Sequence, residues 1–180
     1  MIHTDDLLSL CKKGDQRAQM ELYQRYYKAM YNTALRIVKD QMEAEDVMQE
    51  SFLNAFTKLH TFKGEVTFGA WMRRIVINNS IYHYRKQQKA NEVSLDGVLH
   101  KVEDNDVADD GDHVLTNVQA QKVLQTMKTL KDNYRVSLTL HLIEGYDYEE
   151  ISDIMQISYA NCRTMISRAK ESLRKKLVTV

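Results

Sequence analysis

Proline occurs nowhere in this chain, and glycine occurs six times in 180 residues. A backbone with so few obligatory breaks favours long helices, because proline removes an amide donor and glycine is the costliest residue to order. Methionine, leucine, glutamate, lysine and glutamine are plentiful, and all five are good helix formers. The expected fold class is all-α. The length suits one ordinary domain or two small ones, and the pattern along the chain favours two small helical domains.

A formal net charge of zero hides a segregation of charge. Residues 1–86 carry 13 Lys/Arg against 10 Asp/Glu, residues 87–118 carry 2 against 8, and residues 119–180 carry 10 against 7. Two mildly basic ends flank a strongly acidic middle. In that middle Glu103, Asp104, Asp106, Asp109, Asp110 and Asp112 crowd together; such a run repels itself and lacks the apolar surface to order. Residues 87–113 are therefore read as an acidic flexible linker between domains at 5–86 and 114–180.

The two cysteines, Cys11 and Cys162, lie far apart in helical patterns and suggest neither a disulfide framework nor a metal-ligand pair. They suit a reducing cytoplasm. No basic segment followed by an apolar run opens the sequence, and no apolar run reaches spanning length, so a soluble, cytoplasmic chain without membrane insertion is expected. His3, His60, His83, His100, His113 and His141 show no metal-ligand spacing, and no nucleophile sits in a glycine-rich elbow. No catalytic residue, metal ligand or cofactor is expected, and the chain is not read as an enzyme.

From Asp5 a short amphipathic helix runs to a break at Gly14 and Asp15. A longer one follows in which Ala18, Leu22, Tyr26 or Arg25, and Met30 or Ala29 keep helical spacing, extended by Ala34 and Ile37. Tyr23, Tyr26, Tyr27 and Tyr31 are read as packing rings with polar tips. Asp40 to Met42 ends this helix. The stretch Ala44 to Lys86 then holds two more. In the first, Met48, Phe52, Ala55, Phe56 and Leu59 form one side, while Asp46, Gln49, Glu50, Leu53 and Thr57 form the other. After the loop Phe62 to Thr67, with Thr67 as N-cap, the second carries Arg74, Asn78, Tyr82 and Arg85 in one row. Guanidinium, amide and aromatic groups on one face are suited to nucleic acid: charge for phosphate, amide for base edges, ring for stacking.

Beyond the acidic segment, helical spacing returns through Val118, Val123, Leu124, Met127 and Leu130. Asp132 is expected to cap a helix that Gly145 stops. Asp147 and Glu150 form a capping-box pattern, and Ser158 caps a last helix after a turn at Gln156 and Ile157. Two helices across a tight turn, the second basic, make a helix-turn-helix. In the last helix Cys162, Ile166, Ala169, Leu173 and Leu177 face the core, leaving Tyr159, Ala160, Asn161, Arg163, Thr164, Ser167 and Arg168 outward.

The blocks AEDVMQESFLNAF, FKGEVTFGAWMRRIVINNS, EGYDYEEISDIMQIS and CRTMISRAKESLRKKL, in this order, resemble the extracytoplasmic-function subfamily of the sigma-70 family, the specificity subunits of bacterial RNA polymerase. The resemblance implies a factor that binds core polymerase and directs promoter recognition, DNA melting and transcription initiation. Its first domain would hold the polymerase clamp and the promoter −10 element, and its second would hold the −35 element as duplex.

Carried over residue by residue, Asp46, Gln49, Glu50 and Leu53 match the clamp-binding helix. A mixed acidic and apolar face is poor for DNA and suits a basic protein groove. Phe62, Lys63 and Gly64 match the loop that in relatives accepts a flipped −10 base, although Phe62 and Phe68 fit equally as core plugs, and Phe68 and Trp71 are read as core. Asn78 matches an amide near −10 bases, and Arg74 and Arg85 suit backbone contact. Tyr82 stands where many relatives have Asp or Asn, so packing and base contact both stay open for it. In the last helix Arg163 matches a basic residue of the recognition helix, beside Tyr159, Asn161, Thr164, Ser167 and Arg168. Ala160 replaces a common Gly, Met165 a common Arg and Lys131 a common Pro. The family's linker threads polymerase channels that otherwise hold nucleic acid, a path a polyanion fits; a bland spacer is the alternative. Relatives are commonly held by a cognate anti-sigma factor. A competing reading, a free-standing helix-turn-helix regulator, leaves the acidic helix and glycine loop without a role.

Overall fold

The computed structural model describes residues 3–94 and 118–179, and among these all regular structure is helical. By contact the chain divides into two compact units, Met1–Lys86 and Gln87–Val180.

In the first unit, α1 (Thr4–Lys12) leads through Gly14, whose φ is +84°, into α2 (Gln16–Val38). Asp15 starts α2 by accepting from the amides of Arg17 and Ala18 at 2.9 and 3.0 Å. Lys39 ends it in the left-handed conformation, and Asp40 caps α3 (Gln41–Thr57) through the Glu43 amide. A 3₁₀ turn at Leu59–Thr61 and a loop lead to α4 (Phe68–Ser94), where Thr67 Oγ1 accepts from the Ala70 amide at 3.2 Å. The core forms from Leu7 and Leu8 of α1, Leu22, Met30 and Ile37 of α2, Val47, Met48 and Phe52 of α3, and Met72, Val76 and Ile77 of α4. The α2 tyrosines pack half-buried: Tyr23 meets Phe52 edge-on at 4.7 Å, and Tyr26 meets Phe68 at 5.1 Å. Gly69 admits this approach, since a Cβ there would stand 3.0 Å from the Tyr26 ring.

The basic helix differs from expectation at its end. Periodicity fails near Gln87, yet α4 continues through Ser94. Residues 89–93 are all exposed, Val93 to 83%, so this stretch needs no apolar stripe and rests on local propensity. The acidic run 103–112 and the start expected at Val114 lie outside the described residues.

Beyond α4, the described residues resume with α5 (Val118–Lys128), in which Met127 is buried and Val118 is exposed, contrary to its expected place on the apolar stripe. Leu130 is buried just beyond. A second difference concerns Asp132, which is the first residue of α6 (Asp132–Leu138) and not its cap. Its carboxylate pairs with the guanidinium of buried Arg135. The N-cap is Lys131, at φ −55°, a value a proline ring would also adopt. A further feature had no sequence signal: α6 widens into a π-helical turn at Thr139–Ile143, closed by the Glu144 amide donating to Thr139 O at 3.0 Å.

Gly145, at φ +78°, then reverses the chain. Asp147 and Glu150 form the reciprocal capping box that opens α7 (Tyr148–Met155), at 2.8 and 3.0 Å. Gln156 ends α7 in the left-handed conformation, and Ser158 Oγ accepts from the Asn161 amide at the start of α8 (Tyr159–Thr179). On α8, Cys162, Ile166, Ala169 and Leu173 are buried. Lys176 reaches back to Thr129 at the end of α5, donating to its carbonyl at 2.6 Å, where a cation completes the helix's unpaired acceptors. Asp147→Ala removes one partner of the box and is expected to cost about 0.5–2 kcal/mol, read as a lower urea midpoint for the second unit with an unchanged m-value.

Candidate functional site

Three groups of exposed side chains stand out, two in the first unit and one in the second. On α3, Ala44, Val47, Met48, Ser51, Phe52 and Ala55 occupy the buried stripe, so the opposite face is turned outward. It presents Asp46, Gln49, Glu50 and Leu53, all exposed, Leu53 to 69%. Met42, 79% exposed, precedes Asp46 by one turn and extends the same row. Sequence reading passed over Met42 because it sits where the preceding helix was expected to break.

Along α4, Arg74, Asn78 and Tyr82 are exposed on successive turns, Tyr82 to 63%, and Arg85 next in the row is half-buried. The neighbouring amide acts differently, since Asn79 Nδ2 donates to Ser51 Oγ at 2.9 Å and ties α4 to α3. In the connecting loop Lys63 and Gly64 are exposed, and Gly64 has a φ of +75°, which favours glycine. Phe62 is half-buried, its ring 5.3 Å from Trp71 and 6.1 Å from Phe68. Phe68 is buried and Trp71 half-buried, so the three rings form one aromatic wall behind the loop.

In the second unit Tyr159, Asn161, Arg163, Thr164, Ser167 and Arg168 are all exposed on one side of α8. Ala160, Arg163, Thr164, Ser167 and Arg168 line a shallow open concavity. A second concavity shares Thr164 and Arg168 and adds Asn133 and Tyr134 from α6. Those two had no signal in the sequence, since only folding brings the start of α6 beside α8.

The first unit matches the family description Sigma-70 region 2 over residues 22–90, and the second matches Sigma-70, region 4 over residues 120–173. The chain is 31% identical to the RNA polymerase sigma-H factor of Pseudomonas aeruginosa, over 95% of its own length and 92% of the relative's. It is 32% identical to the ECF RNA polymerase sigma factor SigM of Bacillus subtilis, over 86% and 91%. The chain belongs to the extracytoplasmic-function sigma factors of the sigma-70 family. Its fold is shared with the sigma factor RpoE of Bartonella quintana, solved in complex with the anti-sigma factor NepR, at a TM-score of 0.56 and 20% identity over 89% of this chain and 96% of that one. CnrH, solved in complex with the cytosolic domain of CnrY, has a TM-score of 0.53 at 22% identity, over 96% of each chain.

Region 2 of this sigma factor thus includes both the acidic face of α3 and the polar row of α4, and region 4 includes the outward side of α8. Among the described residues no group of three or more His, Cys, Asp or Glu could hold a metal ion, and no helix is long and apolar enough to cross a membrane. Burial pushes the thiols of Cys11 and Cys162 up, which keeps both in the unreactive protonated form.

The titratable group that matters most to the α3–α4 seam is His83, which the spacing of the histidines gave no reason to single out. Burial disfavours its charged form, but hydrogen bonds and the negative charge of Glu50 and Glu43 outweigh this and raise its pKa. A raised folded-state pKa means that its stabilising contribution is full below the unfolded value of about 6.5 and is lost as pH rises through the folded value. The advantage of wild type over His83→Gln in thermal unfolding is therefore expected to shrink on moving from acid to alkaline pH. An unchanging difference would show that the imidazolium adds nothing to the fold.

Proposed function

We propose that this sigma factor binds RNA polymerase core through the outward face of α3, centred on Asp46, Gln49, Glu50 and Leu53. It engages the promoter −10 element through Phe62, Lys63 and Gly64 of the loop and Arg74, Asn78, Tyr82 and Arg85 of α4. The −35 element lies against Tyr159, Asn161, Arg163, Thr164, Ser167 and Arg168 of α8. The observation that carries this reading is the adjacency of two faces of opposite chemistry on α3 and α4, where their side chains are exposed and their backs are packed together. An acidic and apolar face suits a cationic protein groove, and a guanidinium, amide and aromatic row suits a nucleic-acid strand. Such a factor works in the cytoplasm, where polymerase and promoter meet, and is not an enzyme: it lends specificity to catalysis that lies in the polymerase. The domain limits 5–86 and 114–180, the acidic linker 87–113 and a cognate anti-sigma factor belong to the same reading. The structural neighbour RpoE, solved with the anti-sigma factor NepR bound, supports the last of these.

Within the −10 face, Lys63 and Gly64 of the loop are exposed while the half-buried Phe62 ring packs against Trp71, so Phe62 contributes to the face as its aromatic wall. Tyr82, 63% exposed, has too little packing to act as core, and its ring is placed for stacking on an unpaired base.

Reconstituted transcription tests the whole. Core enzyme plus this chain is expected to initiate at particular genomic promoters where core alone does not. Arg163→Ala is expected to weaken −35 recognition by about 1–3 kcal/mol if the guanidinium is bidentate to guanine. An equal loss on every sequence would assign it to phosphate. Asn78→Ala should impair open-complex formation, followed by permanganate footprinting, and leave core binding intact. Asn79→Ala serves as its contrast, since loss of the Ser51 hydrogen bond should cost about 1 kcal/mol of stability.

A further inference from the structure

The imidazole of His83, on α4, sits between two carboxylates of α3. Its Nδ1 lies 2.9 Å from Glu43 Oε2 and its Nε2 lies 3.0 Å from Glu50 Oε2. A neutral imidazole has one N–H, so one of these contacts would then set a lone pair against a carboxylate; only the imidazolium donates to both. The side chain of His83 is 18% exposed, that of Glu43 33% and that of Glu50 49%. Glu50 is thereby held in one position while half of it stays open to a partner. Glu43 and Glu50 are the charged groups acting on the ring from α3, and along α4 Tyr82 meets it edge-on with centroids 5.9 Å apart.

We propose that His83 is a proton-controlled positioning residue: as an imidazolium donating to Glu43 and Glu50, it presents the Glu50 carboxylate in the conformation that a cationic surface of RNA polymerase core accepts. The inference rests on the docking reading of the α3 face. A glutamate on an open helix face samples several rotamers, and ordering one such side chain on association weakens binding by about 2- to 10-fold. His83 bears that ordering in the free protein. It also cancels one negative charge on the face, an effect of opposite sign. The imidazolium stands 3.0 Å from Glu50 Oε2, too close for salt to screen, so the sign of the pH dependence decides between the two: positioning tightens wild-type binding relative to His83→Gln as pH falls, and charge cancellation weakens it. His83 thereby gives the docking face, through Glu50, a sensitivity to pH.

The test measures binding of the full chain to polymerase core by fluorescence anisotropy, at about 0.15 M salt and from about pH 6 to about pH 9. Wild type is compared with His83→Gln, His83→Arg and Glu50→Ala, each as a ratio to wild type at the same pH, which cancels titration of the polymerase itself. At about pH 6, His83→Gln is expected to bind about 2- to 10-fold more weakly, and the gap closes as wild type loses its proton. Arginine donates to both carboxylates without titrating, so His83→Arg should match wild type in acid and exceed it in alkali. A His83→Gln ratio that stays flat with pH, or wild-type binding that gains on His83→Gln as pH rises, overturns the proposal. If Glu50→Ala weakens binding while the His83→Gln ratio stays flat, the His83 inference alone fails. If Glu50→Ala also binds like wild type, the docking reading of this face falls as well. Circular dichroism reports whether each variant is folded, and should His83→Gln not fold, the His83→Arg ratio across pH decides the matter.

Discussion

The first unit depends on the seam between α3 and α4. Each helix contributes an apolar stripe to one core, Val47, Met48 and Phe52 from the one and Met72, Val76 and Ile77 from the other. Apolar burial brings them together without direction. Their relative rotation and register are set by the polar contacts on top of it: Ser51 to Asn79, and His83 to Glu43 and Glu50. Because helical faces are fixed at 100° per residue, anchoring one stripe decides what every other residue does. The acidic row and the basic row are consequences of the same seam.

The second unit reaches its arrangement by local chemistry at the helix ends. The positive φ of Gly145, the Asp147–Glu150 box, the left-handed Gln156 and the Ser158 cap each stop or start a helix within a few residues. Short connections leave α7 and α8 little choice of angle, and burial of Ile151, Cys162 and Ile166 completes the packing. The outward side of α8 is then whatever that packing leaves uncovered. Met165 is half-buried and lines the same concavity as Asn133 and Tyr134, which gives that concavity an apolar wall.

Much of this was legible in the residues because helices declare themselves through periodicity and caps. Leu22, Ala34 and Ile37 on α2, Phe52 and Ala55 on α3, and Cys162, Ile166 and Ala169 on α8 were expected inside and are buried; between Met30 and Ala29, which spacing left open, Met30 is the buried one. The caps at Thr67, Asp147 and Ser158 also stand where their side chains suggested. The failures share one cause, which is that periodicity reports burial and not helicity. Residues 87–94 are helical with no stripe to reveal them. Val118 fits the stripe by spacing and lies in solvent. Asp132, a good capping residue by type, prefers the charge of Arg135, and the cap position passes to Lys131.

The sequence by itself determined the all-α class, most of the helix ends that carry turn or capping chemistry (the start of α6 excepted), the family, and which residues of α3, α4 and α8 face outward. These follow from near-neighbour rules, in which the deciding partner lies within about four residues. Tertiary structure alone decided that His83 faces Glu43 and Glu50, that Asn79 and not Asn78 ties α4 to α3, and that Asn133 and Tyr134 border the outward side of α8. The hydrogen-bonded pairs across the α3–α4 seam are separated by 28 or more residues, and a pairing at that range has no signature in spacing, because it exists only once two helices have been rotated against each other by the core between them.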